Sequence, residues 1–373
     1  MIQDIFIIGA TGRVGKTLIS QIFEKQDTNE TLHENPTRII GLASKSSYIY
    51  DREGIDYHRA IEFSERKLKN GEKNSSIDDI LSKVESQKNK DKRDNKRLAF
   101  VDATDSQLLN DFHKRVIELT NYSIVTANKN PLINCDYDSF QDLTRETQRY
   151  GYRCCVMAGA NTINDIRDLR DLGDSPTEIS GCLSGTLSFL TTELEKGRRL
   201  SEIVTEAMEL GYTESNPTID LSGKDVARKI VILSRTAGYN IREDHVEVIP
   251  FIPEHYLSEQ NNSQFVRNLQ DLDSGFRRDT EKAQSKGNVL RYIAALSFRD
   301  KRPCINVGLK EVSKNSEFGS LQGRRNKILI KTKTYDKDFS SIEVPGAGLE
   351  VTAQNIRWDL LYQVQHRVLA GER

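Results

Sequence analysis

Apolar and polar positions change their period along this chain, and the changes mark out its elements. Residues 4–8 read Asp-Ile-Phe-Ile-Ile, a short apolar run that feeds a glycine-rich turn. Val14, Leu18, Ile19 and Ile22 then recur at helical spacing. Further apolar runs cover 38–43, 98–101 and 123–126, with a helical stripe over 108–119 between the last two. Short apolar strands alternating with amphipathic helices predict a parallel, doubly wound α/β sheet of Rossmann type. Residues 64–97 are crowded with Lys, Glu, Asp, Asn and Ser. Only 77–84 carries a helical stripe there; the rest reads as a solvated or mobile excursion.

Beyond residue 150 the pattern predicts helices over 183–194, 200–210 and 222–237, and strands over 289–297 and 304–312. Residues 346–368 read as a glycine turn and a long helix, with Trp358, Leu361 and Val364 as its expected buried stripe. Two domains follow from this change of pattern and from a length of 373 residues. The first is a dinucleotide-binding domain over 1–150, with 341–373 packing back on it. The second is an α+β substrate and dimerisation domain over 151–340.

Composition narrows the partners. The formal net charge is −1 and no basic block dominates, which argues against nucleic acid. No apolar run approaches the ~20 residues of a membrane span, and no signal peptide precedes the first strand, so a cytoplasmic location is expected. Cys135, Cys154, Cys155, Cys182 and Cys304 show no CxxC or His-paired metal spacing. They read as reduced, mostly buried thiols, with Cys154 and Cys155 filling a strand.

The turn after the first strand holds Gly9, Thr11, Gly12, Arg13, Val14 and Gly15. Glycines let a backbone approach a pyrophosphate whose charge sits on the helix N-terminus. The spacing is GxxGxxG, with Ala10 where a further glycine is usual. A second reading stays open, because Ala10 to Thr17 comes within one residue of a P-loop. Lys16 would then hold a phosphate, Thr17 a magnesium ion, and Asp102 would be the acidic partner. On the dinucleotide reading, the second strand lacks the acidic residue that bonds a ribose 2′-hydroxyl. Ser44, Lys45 and Arg13 suit a 2′-phosphate instead, so NADP(H) is preferred, with NAD(H) also accepted. Thr104 and the run 125–129 fall at carboxyl ends of strands, where such sheets bind ligands.

Residues 211–229 gather Glu214, Asp220, Asp225 and Lys229. Ser222 is the expected N-cap of the helix that follows, and Gly238 its stop. Asp225 and Lys229 stand one turn apart and share a face. As a surface pair they would contribute only ~0.2–0.5 kcal/mol. Beside Glu214 and Asp220 they suit a small zwitterionic substrate that gains or loses a proton.

These segments resemble homoserine dehydrogenase. The resemblance rests on the glycine turn, Val125-Thr126-Ala127-Asn128-Lys129, Ser184-Gly185-Thr186-Leu187-Ser188 and 211–229, and resumes over 286–292 and 345–353. It covers nearly the whole chain, and is to the dehydrogenase portion of bifunctional aspartokinase–homoserine dehydrogenases. No preceding kinase segment and no following regulatory tail are expected. The family interconverts L-homoserine and L-aspartate 4-semialdehyde with NAD(P)H, in amino-acid biosynthesis. The resemblance implies that Lys129 and Lys229 are catalytic amines meeting in a cleft between domains. It implies that Glu214 and Asp220 bind the amino-acid substrate, that Asp225 orients Lys229, that Lys129 and Gly348 also line the cofactor, and that the chain forms a homodimer.

One segment departs from the family. Glu-Ala-x-Val-Gly-x-Gly-x-Pro falls on Arg153 to Asn161, here Arg-Cys-Cys-Val-Met-Ala-Gly-Ala-Asn. Met157 would crowd the approach to the nicotinamide, and Arg153 would repel the monovalent cation that the family holds there, which makes that cation doubtful here. Asn216, Thr218 and Ile219 also replace family residues. A weakened or repurposed nucleotide-binding relative therefore stays open as an alternative.

Overall fold

The computed structural model describes residues 2–68, 72–73, 77–88, 98–242, 245–259, 261–346 and 348–370. The chain divides into two compact units, residues 1–159 with 348–373 and residues 160–347.

The first unit is built on a sheet of seven strands: β1 Gln3–Ile8, β2 Thr37–Ala43, β3 Ser47–Tyr50, β4 Glu72–Lys73, β5 Leu98–Asp102, β6 Ser123–Thr126 and β7 Tyr150–Gly151. Their spatial order is β4-β3-β2-β1-β5-β6-β7. The five strands from β2 to β7 across β1 run parallel, the Rossmann-type core. β3 and β4 extend it antiparallel, and they and the parallel β7 lie beyond the predicted strands. The Ser-Tyr-Ile-Tyr run of β3 is too short to stand out from a loop.

β1 is central and buried on both faces, as a parallel sheet demands. Ile5 and Ile7 face a cluster with Leu18 and Ile22 of helix Arg13–Glu24 and with Ile356 and Leu360 of helix Leu349–Ala370. Phe6 points the other way, into an aromatic layer with Phe100, which also meets Phe112 and Tyr122. Helix Ile77–Lys88 buries Ile80, Leu81 and Val84. The remainder of the charged 64–97 stretch falls mostly outside the described residues.

The last helix buries only Val364 of the expected stripe. Trp358 and Leu361 are 44% and 45% exposed, while Ala353, Ile356, Leu360 and Val364 are buried. The helix is turned so that polar Asp359 and Gln363 also face inward. Gln363 donates to the Ile124 carbonyl, and Arg357 pairs with Asp27 at 2.6 Å.

The second unit holds a six-stranded sheet ordered β13-β12-β8-β10-β11-β9. The strands are β8 Glu178–Cys182, β9 Val246–Val248, β10 Asn288–Arg299, β11 Arg302–Ser313, β12 Asn326–Lys331 and β13 Ser340–Val344. All pairs are antiparallel except β9 with β11. Helices Gly185–Glu195, Leu200–Glu209 and Lys224–Thr236 cover it in the predicted places, with Asn262–Gln284 against Leu200–Glu209. Arg291 is buried within this sheet. It donates to the carbonyls of Phe318, Gly319 and Leu321 and pairs with Glu195 at 2.8 Å, so its charge and donors are satisfied in one place.

Candidate active site

The glycine turn keeps its shape by close approach. Gly9 has φ +86°, and a Cβ there would lie 2.8 Å from the Thr104 methyl and 2.9 Å from the Ala103 carbonyl oxygen. A Cβ on Gly15 would fall 2.2 Å from the Gly9 carbonyl oxygen. Gly12 caps helix Arg13–Glu24 and is exposed, leaving the helix N-terminus open for an anion. Ser44 closes the β2–β3 turn, donating to the Ser47 carbonyl and accepting from the Ser47 amide, while Lys45 beside it is exposed. These residues fit a dinucleotide phosphate.

The P-loop reading loses all three of its residues. Lys16 lines a cavity of about 340 Å³ with Glu24, Glu65 and Glu350, on the helix flank rather than in the turn. The Thr17 hydroxyl donates to the Arg13 carbonyl within the helix. Asp102 is buried, and its carboxylate is taken up by protein donors. Oδ1 accepts from the Thr104 amide and hydroxyl, and Oδ2 from Asn128 at 2.9 Å and His113 at 3.1 Å. With Nε2 of His113 donating to Asp102, its Nδ1 accepts from the Tyr150 hydroxyl at 2.7 Å. Burial holds that phenol well above its ordinary range, so it stays a neutral donor. This network fixes the loop after β6. Asn128 bonds Asp102 and the Ser106 carbonyl, and Lys129 follows as the N-cap of the short helix Asn130–Ile133. His113 and Tyr150 carry no motif, and their role is invisible without the fold.

In the second unit the residues of 211–229 do converge. Asp220 Oδ1 accepts from the Thr186 hydroxyl at 3.2 Å and Oδ2 from the Glu214 amide at 2.9 Å. The single Thr186 hydroxyl hydrogen is shared with the Tyr212 carbonyl, the nearer acceptor at 2.6 Å. The Glu214 side chain is exposed and Asp220 half-buried. Desolvation raises Asp220 to about 6, with the nearby Glu214 and Asp225 charges adding to the rise against the lowering from its two hydrogen bonds. Lys229 pairs with Asp225 at 2.8 Å and donates to the Leu183 carbonyl at 2.7 Å. Two of its three N–H groups are thus aimed by the protein, which is more than a surface pair does.

Ser222 is not the helix cap. It ends the short helix Pro217–Leu221, and the N-cap of Lys224–Thr236 is Gly223 in a left-handed conformation, φ +72°. A Cβ on Gly223 would lie 1.9 Å from the Tyr292 hydroxyl, so the chain must use glycine where the serine hydroxyl was expected. Gly238 does follow the helix end, at φ +100°.

The chain matches the homoserine dehydrogenase family over residues 162–361, more than half its length. It belongs to that family. It is 32% identical over 361 residues, 95% of its length, to the bifunctional aspartokinase/homoserine dehydrogenase 1 of Arabidopsis thaliana. It spans 38% of that relative's own length. Among solved structures, a protein of unknown function from Candida auris superposes with a TM-score of 0.83 at 26% identity, covering 98% of each chain. A hyperthermophilic archaeal homoserine dehydrogenase in complex with NADPH superposes at 0.71 and 22% identity, covering 98% of each chain, which shows the same fold.

Against the homoserine dehydrogenase family, the departing segment has a clear local structure. Arg153 to Cys155 form a single 3-10 turn rather than a strand, so the two cysteines do not fill a strand as expected. Both thiols donate to the Thr126 carbonyl, at 3.2 and 3.3 Å, and the Cys155 contact and burial push the Cys154 thiol well up. Arg153 is 2% exposed, 3.3 Å from Asp359, and 4.1 Å from the Trp358 ring. A buried guanidinium paired with Asp359 does not fit a cation site. Among the described residues no group of three or more His, Cys, Asp or Glu is placed to hold a metal ion. Met157 is buried at φ +50°, a conformation that costs a methionine ~1–2 kcal/mol and a glycine nothing. Gly348, exposed, precedes the last helix, and its carbonyl accepts from Thr352.

Proposed function

We propose that the chain is an NADP(H)-dependent homoserine dehydrogenase. The observation that carries this reading is the Lys229 ammonium, held by Asp225 and the Leu183 carbonyl beside the Asp220–Thr186–Glu214 cluster. A bound nicotinamide cofactor would supply the hydride chemistry between carbinol and aldehyde. This chain supplies the remainder. Asp220 and Glu214 receive the substrate ammonium. The third N–H of Lys229 faces the reacting oxygen, donating to it as negative charge develops during reduction. Lys129, at the end of β6, is the second amine of the proposal. Gly9, Thr11, Gly12, Arg13, Val14 and Gly15 hold the pyrophosphate, Thr104 and Gly348 line the cofactor, and Ser44 with Lys45 meets a 2′-phosphate. The NADPH bound by the archaeal neighbour supports that preference. A homodimer and a cytoplasmic location belong to the same proposal. No helix among the described residues is long and apolar enough to cross a membrane.

The test is the change in reduced-nicotinamide absorbance with L-homoserine and each cofactor. Homoserine-dependent reduction of NADP is expected, with Lys229→Ala losing at least 100-fold in kcat while still binding NADPH. Cofactor binding with no turnover by the wild type would favour the repurposed relative, for which buried Met157 is the structural argument.

A further inference from the structure

An amino-acid substrate carries a carboxylate as well as an ammonium and a hydroxyl. The proposed site as derived so far matches the last two only. Arg324 stands next to it. Its guanidinium lies 3.9 Å from the Tyr212 ring centroid, and the Tyr212 carbonyl accepts the Thr186 hydroxyl that also bonds Asp220. Tyr212 is steadied from another side by Phe189, edge-on at 5.3 Å. Arg324's backbone packs on the start of helix Gly185–Glu195. A Cβ on Gly185 would sit 3.3 Å from the Arg324 carbonyl oxygen, and one on Gly346 2.5 Å.

Neighbouring Arg325 is spent on Glu343. Arg324 is not spent in that way. Among the described residues its buried Nε has no hydrogen-bond partner. A stacked guanidinium with a buried, unmade hydrogen bond is costly unless a ligand completes it. Its planar fork matches a carboxylate in two parallel hydrogen bonds, and stacking on an aromatic ring fixes the plane of that fork.

We infer that Arg324 is a specificity-determining residue that binds the α-carboxylate of the amino-acid substrate. The inference rests on the dehydrogenase reading for the identity of the substrate, but not for the presence of the subsite. It divides the zwitterion between opposite charges: ammonium to Asp220 and Glu214, carboxylate to Arg324, reacting oxygen to Lys229. A substrate lacking the carboxylate leaves the guanidinium stacked and unpaired, so the site discriminates against simple amino alcohols.

The test is equilibrium binding by calorimetry of L-homoserine and of 3-aminopropan-1-ol, which is homoserine without its carboxylate. Wild type, Arg324→Met and Arg324→Lys are compared, with NADPH affinity measured alongside. The wild type is expected to bind homoserine at least tenfold more tightly than the amino alcohol. Arg324→Met should lose that preference with NADPH affinity unchanged, and Arg324→Lys should keep part of it. A wild type with no preference, or no affinity for homoserine, overturns the inference. So does an Arg324→Met that retains the preference, or that weakens NADPH alone. Carboxylate-dependent binding without turnover would sink the dehydrogenase reading and leave the subsite standing. If Arg324→Met does not fold, the wild-type comparison and Arg324→Lys still decide.

Discussion

Asp220 sits where desolvation opposes its charge. Desolvation raises it to about 6 from an ordinary 3.8. The folded chain therefore keeps this proton up to about pH 6, while the unfolded chain releases it near 4. Its contribution thus disfavours the fold progressively as pH rises from about 4 to 6, by at most roughly 3 kcal/mol. Asp220→Asn removes the charge. Its melting temperature relative to wild type should be higher at pH 7 than at pH 4.5, and a constant difference across that range would contradict the assignment. In turnover, KM for homoserine should rise about tenfold per pH unit below 6 as the carboxylate neutralises and releases the substrate ammonium. Gly223 makes a different demand. Its φ of +72° and the Tyr292 hydroxyl 1.9 Å from any Cβ should make Gly223→Ala destabilising by about 2 kcal/mol or more, read as a lower urea midpoint. Spacing revealed Asp225 and Lys229, because i and i+4 positions must share a helix face. It misassigned the cap, because a serine hydroxyl is a good cap only where its backbone is extended, and the left-handed turn at 223 follows from the Tyr292 contact, which no local pattern contains.

At the scale of elements, the last helix is held to the sheet by a buried ion pair. Asp359 accepts from the Arg153 amide and pairs with its guanidinium, and a Cβ on Gly151 would meet the Asp359 side chain at 2.7 Å. Removing one partner strands the other charge in the interior. Asp359→Ala should destabilise by about 3–5 kcal/mol, and the double replacement Arg153→Met with Asp359→Ala by clearly less. Equal losses in the two variants, measured by denaturant unfolding, would mean that the pair is not coupled. Four of the five parallel strands, β1, β2, β5 and β6, were readable from sequence because each is a largely apolar run between turns, whereas the two-residue β7 was not. The buried stripe of the last helix was readable only at Val364. Trp358 lies over the Arg153 guanidinium instead of in the core. Its polar neighbour Asp359 goes inward to meet a charge introduced 206 residues earlier. A helical pattern read from apolar positions alone assigns those two residues the wrong way round.

The whole molecule joins two kinds of information. The first unit carries a glycine turn built by close approach and a buried Asp102–His113–Tyr150 network behind the loop that ends at Lys129. The second carries the charged cluster and lies almost wholly within the family match. Motifs at fixed spacing exposed the turn, the Val-Thr-Ala-Asn-Lys run and 211–229. Residues whose role depends on contacts distant in sequence, such as Thr186 with Asp220 or Arg324 with Tyr212, needed coordinates. The central claim is that Lys229 acts on the oxygen of a bound amino alcohol. The most direct measurement is NADP reduction with L-homoserine by wild type and Lys229→Ala, with NADPH binding measured on both. The wild type should turn over, the variant should lose at least 100-fold in kcat, and the two should bind NADPH equally. Undiminished turnover by Lys229→Ala would contradict it.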